Sequence, residues 1–166
     1  MKTLVEALTD SHRDVYMGLE VIRRMADLPE DVSEPELRAA LDEVLDFLRQ
    51  EVLPGCRVEQ TSIYPLIGTA LQASDAVLRQ EDDVVVRLME KLEALRQRLV
   101  YAYFGPQQRR DVRAVLYQLY TVIGMHFIKE DEIYVPMLDS RLTGEQRNEL
   151  EAAFERSLSA EVGAVA

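Results

Sequence analysis

The stretch MHFIKEDEIYVP, Met125 to Pro136, sets His126 and Glu130 four residues apart, one helical turn, on the side its periodicity marks as apolar. Three other segments carry similar interruptions. His12 lies between Leu8 and Val15, Glu59 lies between Val52 and Ile63, and Asp82 heads a stripe that runs on through Val85, Leu88 and Leu92. Burying an ionised carboxylate without a partner costs several kcal/mol. Three carboxylates and two neutral imidazoles cannot neutralise one another, whereas a bound cation neutralises the acids and takes the imidazoles as ligands. Imidazole together with carboxylate suits iron, manganese or zinc. Taken singly, each residue has an ordinary reading: a histidine hydrogen-bonded in the core, a glutamate solvated at the edge of a bundle. Their joint occurrence on four separate segments is what points to a metal.

The elements that must position them are helical. The first segment, about Thr3 to Asp27, carries Val5, Leu8, His12, Val15, Leu19 and Ile22 on one stripe. Ser33 followed by Glu36 is a capping-box signature, with Pro35 tolerated in the first turn. It opens a second segment with Leu41, Leu45, Leu48, Val52, Gly55, Glu59, Ile63 and Leu66 at helical spacing. Pro54 inside it predicts a kink or a freed carbonyl near Gln50. The third segment, about Asp75 to Tyr103, has its core stripe from Val85 to Leu99. Projected backwards, that stripe lands on Asp82 and Glu81 and leaves Asp83 on the wet side. The fourth places Leu116, Leu119, Ile123, His126, Glu130, Ile133 and Met137 on one line. Thr143 to Gln146 reads as another capping box, opening a short helix over about 144–158 before a tail expected to fray. Four long amphipathic helices with short connections predict an all-α, up-down-up-down four-helix bundle, with residues 1–166 as one domain and the bundle core over about 3–142.

Bulk properties agree with that class. The chain of 166 residues is long enough to bury a full core, and 48% apolar with 30% charged residues is a globular balance. A formal charge of −11 repels nucleic acid and anionic membrane surfaces, so neither is expected as a partner. No apolar run reaches the length of a bilayer span, and the amino terminus lacks the apolar centre of a signal peptide. The single cysteine, Cys56, fits a reducing compartment, and the expected location is cytoplasmic.

An internal echo links two of the segments. GCRVEQTSIYP from Gly55 and HFIKEDEIYVP from His126 both carry a glutamate four residues in, an isoleucine–tyrosine pair, and a proline ten residues in. With these motifs the sequence resembles the hemerythrin-like family of HHE cation-binding domains over roughly Leu4 to Leu142. Family members typically carry a histidine on the first helix, HxxxE on the second, a histidine on the third and HxxxE on the fourth. The resemblance implies that His12, Glu59, Asp82, His126 and Glu130 hold non-haem iron, one or two ions, with another divalent metal as the alternative. Glu59 and Glu130 would be the bridging carboxylates. It further implies a small diatomic or peroxide ligand and a role in handling or sensing oxygen, peroxide, nitric oxide or iron.

Two positions depart from the family pattern. Gly55 stands where the second-helix histidine is expected and Asp82 where the third-helix histidine is expected. Gly55 ligates nothing; Asp82 is a harder, anionic donor. The resemblance then implies a vacancy over Gly55 beside His12. Glu51, Cys56, Tyr16, Tyr117 and Tyr120 are the side chains to consider for it, each with a simpler reading: Glu51 solvated, Cys56 packed as a small hydrophobe, the tyrosines filling core. More carboxylate and less imidazole favours the higher oxidation state, which disfavours reversible oxygen carriage. The rival to a metal protein is a metal-free pseudo-hemerythrin that keeps the bundle as a binding or regulatory module. A ferritin-like carboxylate enzyme needs Glu-x-x-His pairs that this chain lacks. A nucleophilic hydrolase would need a histidine near Cys56 in sequence, and there is none.

Overall fold

The computed structural model describes residues 4–101 and 104–164, all of it helix and connecting turns. Helix α1 (Leu4–Ala26) is followed by α2 (Glu34–Phe47), which runs through a π-helical turn at Leu48–Val52 into α3 (Leu53–Ser62) and then α4 (Tyr64–Ala70). Helix α5 (Ala76–Tyr101) leads to α6 (Pro106–Lys129), a second π turn at Glu130–Tyr134, α7 (Val135–Arg141) and α8 (Gly144–Ala164). Both sequence-predicted capping boxes form. Ser33 N–H donates to Glu36 Oε2 at 3.2 Å, and Thr143 N–H donates to Gln146 Oε1 at 2.9 Å.

Helix α1 packs on α6, α6 on α5, α5 on α2 and α2 on α1, which closes a four-membered ring; α8 lies against α3 and α1. The interior divides into two apolar clusters. The larger holds Val15, Leu19 and Ile22 of α1 with Leu41 to Val52, Val85 to Leu99, and Val112 to Phe127. The smaller joins Leu8, Val58, Ile63, Tyr64, Ile67 and Leu78 to Val135, Leu138, Leu142, Leu150 and Phe154. Helix α1 and helix α5 run from the smaller cluster to the larger, while α2–α3 and α6–α7 run back, which is the up-down-up-down order. No helix among the described residues is long and apolar enough to cross a membrane.

Both π turns end two residues before a proline, Pro54 and Pro136. Proline lacks the N–H that a regular helix needs and its ring crowds the carbonyl one turn back, so the turn before it widens. Leu53 N–H bonds to Leu48 O and Val135 N–H to Glu130 O, each five residues back. Where a kink or a freed carbonyl was expected near Gln50, the helix makes this first π turn.

An extra residue in a turn rotates everything after it, and this corrects the sequence-predicted stripes. Ile133 and Met137, expected inside, are 49% and 41% exposed, while Val135 and Leu138 are buried in their place. On the second helix Gly55 and Leu66 are only half-buried, and Cys56 and Ile67 take the core positions. The C-terminal helix continues to Ala164, through most of the tail expected to fray. Thr3, residues 102 and 103, and the Val5 side chain lie outside the described residues.

Candidate metal centre

All five residues singled out from the sequence are buried: His12, Glu59, Asp82, His126 and Glu130 are between 1% and 4% exposed. They share one layer of the bundle. On α1, His12 falls between Leu8 of the smaller cluster and Val15 of the larger, and on α5 Asp82 falls between Leu78 and Val85 in the same way. Glu59 on α3 and His126 with Glu130 at the end of α6 complete the seam between the two clusters.

Glu130 lies between the two imidazoles. Its Oε2 is 3.6 Å from His12 Nε2 and its Oε1 is 3.5 Å from His126 Nε2. Glu59 Oε1 is 3.1 Å from His12 Nε2, and Asp82 Oδ1 is 3.4 Å from His126 Nε2. The Phe127 ring meets both imidazoles edge-on, with centroids 4.5 Å from His12 and 5.2 Å from His126. Two groups of donor atoms result, each with all members within 4.8 Å of one another: His12, Glu59 and Glu130 on one side, and Cys56, Asp82 and His126 on the other.

The outer nitrogen of each imidazole is fixed by a further carboxylate. His12 Nδ1 donates to Asp131 Oδ1 at 2.6 Å, and Asp131 also accepts from the Tyr16 hydroxyl at 2.9 Å. His126 Nδ1 lies 3.2 Å from Glu81 Oε2, and Glu81 is held by Lys129. This is the outer-shell pattern that orients metal-ligating histidines and leaves Nε2 pointing inward. The Tyr64 hydroxyl donates to Asp82 Oδ2 at 3.1 Å and lies 3.2 Å from His126 Nε2, while Gln60 Nε2 donates to the same Asp82 oxygen at 2.7 Å.

Among the described residues, four buried carboxylate oxygens have no hydrogen-bond partner: Glu59 Oε2, Asp82 Oδ1, and both oxygens of Glu130. Such oxygens are costly to bury unless something positive sits between them. Metal–ligand bonds of about 2.0–2.2 Å put neighbouring donors about 3.0–3.6 Å apart, and the four inward distances fall in that range. The donor set fits a cation.

The charge balance says the same. Burial, followed by the Glu59 and Asp82 charges, pushes the Glu130 carboxyl well above the usual range. Burial likewise raises Asp82, against the opposing pull of His126. For His12 burial works against the imidazolium, yet hydrogen bonds with Asp131 and Glu59 outweigh it and raise the group to about 9. The same contact draws Asp131 below its ordinary value despite burial. Burial, then Glu59 and Asp82, raises the Cys56 thiol, which stays protonated while no cation is bound.

The remaining sequence candidates sort clearly. Glu51 and Asp83 are exposed. Tyr16 turns to Asp131 rather than to the inner donors, and Tyr117 is exposed and bonds Asp27. Tyr120 packs against the larger apolar cluster. A Cβ on Gly55, which is half-buried, would meet no atom within 4 Å. Cys56 is packed as a small core residue, as expected, but it belongs with Asp82 and His126 and not with His12. Sequence reasoning missed Tyr64, Gln60 and Asp131. Tyr64 is the tyrosine of the repeated isoleucine–tyrosine pair, a signal available in the sequence. Asp131 had none: next to Glu130 in sequence it diverges from the core line, and it meets the outer nitrogen of His12 from within the π turn.

A family model for the hemerythrin HHE cation-binding domain matches residues 3–138. No curated protein and no solved structure matches the chain. The chain belongs to the hemerythrin HHE cation-binding domain family, whose domains bind metal ions, and two groups of its buried side chains could hold one.

Proposed function

We propose that this member of the hemerythrin family binds one or two non-haem iron ions in the layer between its apolar clusters, as a protein that handles or senses oxygen, peroxide or nitric oxide. The single observation behind the reading is Glu130, whose two unpartnered oxygens face one imidazole each. His12, Glu59 and Glu130 would hold one ion; Asp82, His126 and Glu130 would hold the other. Bound iron would supply a redox-active Lewis acid able to take a small oxygen or nitrogen ligand. The chain supplies the rest. Asp131 and Glu81 hold the imidazoles with Nε2 inward. Phe127 keeps the wall between the imidazoles apolar. The Tyr64 hydroxyl, raised by burial and by the Glu130 and Asp82 charges, stays protonated and can donate a hydrogen bond into the site.

Anaerobic titration of metal-free protein with ferrous iron, followed by oxidation, tests this reading. Stoichiometric uptake, a charge-transfer band and a rise in melting temperature are expected, because a metal that binds only the folded state stabilises it. Glu130→Ala abolishes all three, whereas Asp83→Ala, on an exposed side chain, leaves them intact. Absence of uptake with an unchanged melt would overturn the metal reading and argue for the metal-free module instead.

A further inference from the structure

We propose that Cys56 is a sulfur ligand, so that the ion beside His126 sits in a mixed thiolate, imidazole and carboxylate site. The inference rests on the metal-binding reading above and goes beyond it in donor chemistry. Cys56 is 4% exposed, and its Sγ belongs to the group whose donor atoms, with Asp82 and His126, all lie within 4.8 Å of one another. Two further observations mark the same point as a ligand position. Asp82 Oδ1 is buried without a hydrogen-bond partner and faces His126 Nε2 at 3.4 Å. Glu130 Oε1, also without a partner, faces that nitrogen at 3.5 Å. Sulfur from α3, oxygen from α5 and nitrogen from α6 thus converge, three donors of three chemical types, and Glu130 Oε1 of the second π turn faces the nitrogen.

The thiol sits on the buried side of the helix that follows the first π turn, where Cys56 is buried and Gly55 only half-buried. Cys56 precedes Glu59 by three residues, so both side chains leave one face of α3. The two sides of the centre become unequal. With Glu130 as a fourth donor the Cys56 side would have a closed tetrahedral shell that includes sulfur, whereas the His12 side offers only imidazole and carboxylate. Thiolate also moves selectivity towards zinc, cobalt(II) and iron and away from harder ions such as manganese and magnesium. Binding is balanced by loss of one proton: the thiol gives its hydrogen to solvent as the sulfur–metal bond forms.

The test loads metal-free protein with cobalt(II), and separately with zinc. A thiolate-to-cobalt charge-transfer band in the near ultraviolet, and a sulfur shell at about 2.3 Å in zinc-edge X-ray absorption, are expected for the wild type. Cys56→Ser removes both while cobalt ligand-field bands persist, and Cys56→Ala does the same should the serine variant fail to fold. Metal uptake with only nitrogen and oxygen neighbours in the wild type overturns the sulfur assignment and leaves the metal-binding reading standing. No uptake of either metal, nor of ferrous iron, overturns both.

Discussion

His12 Nδ1 donates to Asp131 Oδ1 at 2.6 Å, the shortest contact the histidine makes. The bond fixes the neutral imidazole as the tautomer whose Nε2 lone pair faces Glu59 and Glu130. A lone pair aimed at two carboxylates is stable only with a proton or a metal ion between them.

Removing that anchor therefore weakens metal binding without removing a ligand. Asp131→Asn is expected to lower iron affinity by about 10- to 100-fold, the usual effect of losing an outer-shell partner. The measurement is equilibrium titration of the folded variant. An affinity equal to that of the wild type would show that Asp131 serves packing alone.

Stripped of metal, the protein loses stability as pH rises. The Glu130 carboxyl is raised above its ordinary value of 4.5, so above that pH the unfolded chain ionises while the folded chain still holds the proton. His12 acts in the same direction: its contribution is complete below 6.5 and is lost as pH rises through about 9. Melting temperature of chelated protein should fall steadily from about pH 5 to pH 9, and Glu130→Gln should remove the part that begins above 4.5. A flat profile for the chelated wild type would contradict the buried charge cluster.

Gly55→His places an imidazole four residues before Glu59, in a space where a new Cβ meets nothing within 4 Å. The substitution also replaces a poor helix former by a better one. Metal binding should tighten by about tenfold or more, ~1.4 kcal/mol, with the metal-free melt unchanged or slightly higher. Competition with a chelator of known affinity reads the change.

Deleting Ile133, which is 49% exposed and lies within the second π turn, should leave a folded bundle. The deletion turns the π turn into a regular one and keeps Val135 one turn after Glu130, still facing the core. Deleting the exposed Gln118 from the regular part of α6 instead rotates every later residue by about 100°, which carries His126 and Glu130 off their face. Circular dichroism melts should show cooperative unfolding for the first and little or none for the second.

Much of this was legible in the sequence because helical periodicity is a local signal. The described members of the α1 stripe, the α5 stripe and most of the α6 stripe are buried as expected, and both capping boxes form. The five inward polar residues stood out because each broke an otherwise apolar line. Where reading failed, it failed after the π turns: Gly55, Leu66, Ile133 and Met137 were placed on the core line by a constant period that the chain does not keep. Pro54 announced the first slip without giving its size. Tyr64 was passed over because a tyrosine in an apolar run reads as core, which it also is. The association of Cys56 with Asp82 and His126 was not accessible, since it depends on the angle between three helices.

The two wound-in residues also separate the ends of the rods that carry them. A straight helix fixes the azimuth of every side chain relative to the others, so a change of neighbour at one end constrains the other. With a one-residue slip beside the buried acids, the long barrel and the short cap answer to different surroundings. Substitutions can then accumulate in either half without a matching adjustment across the centre.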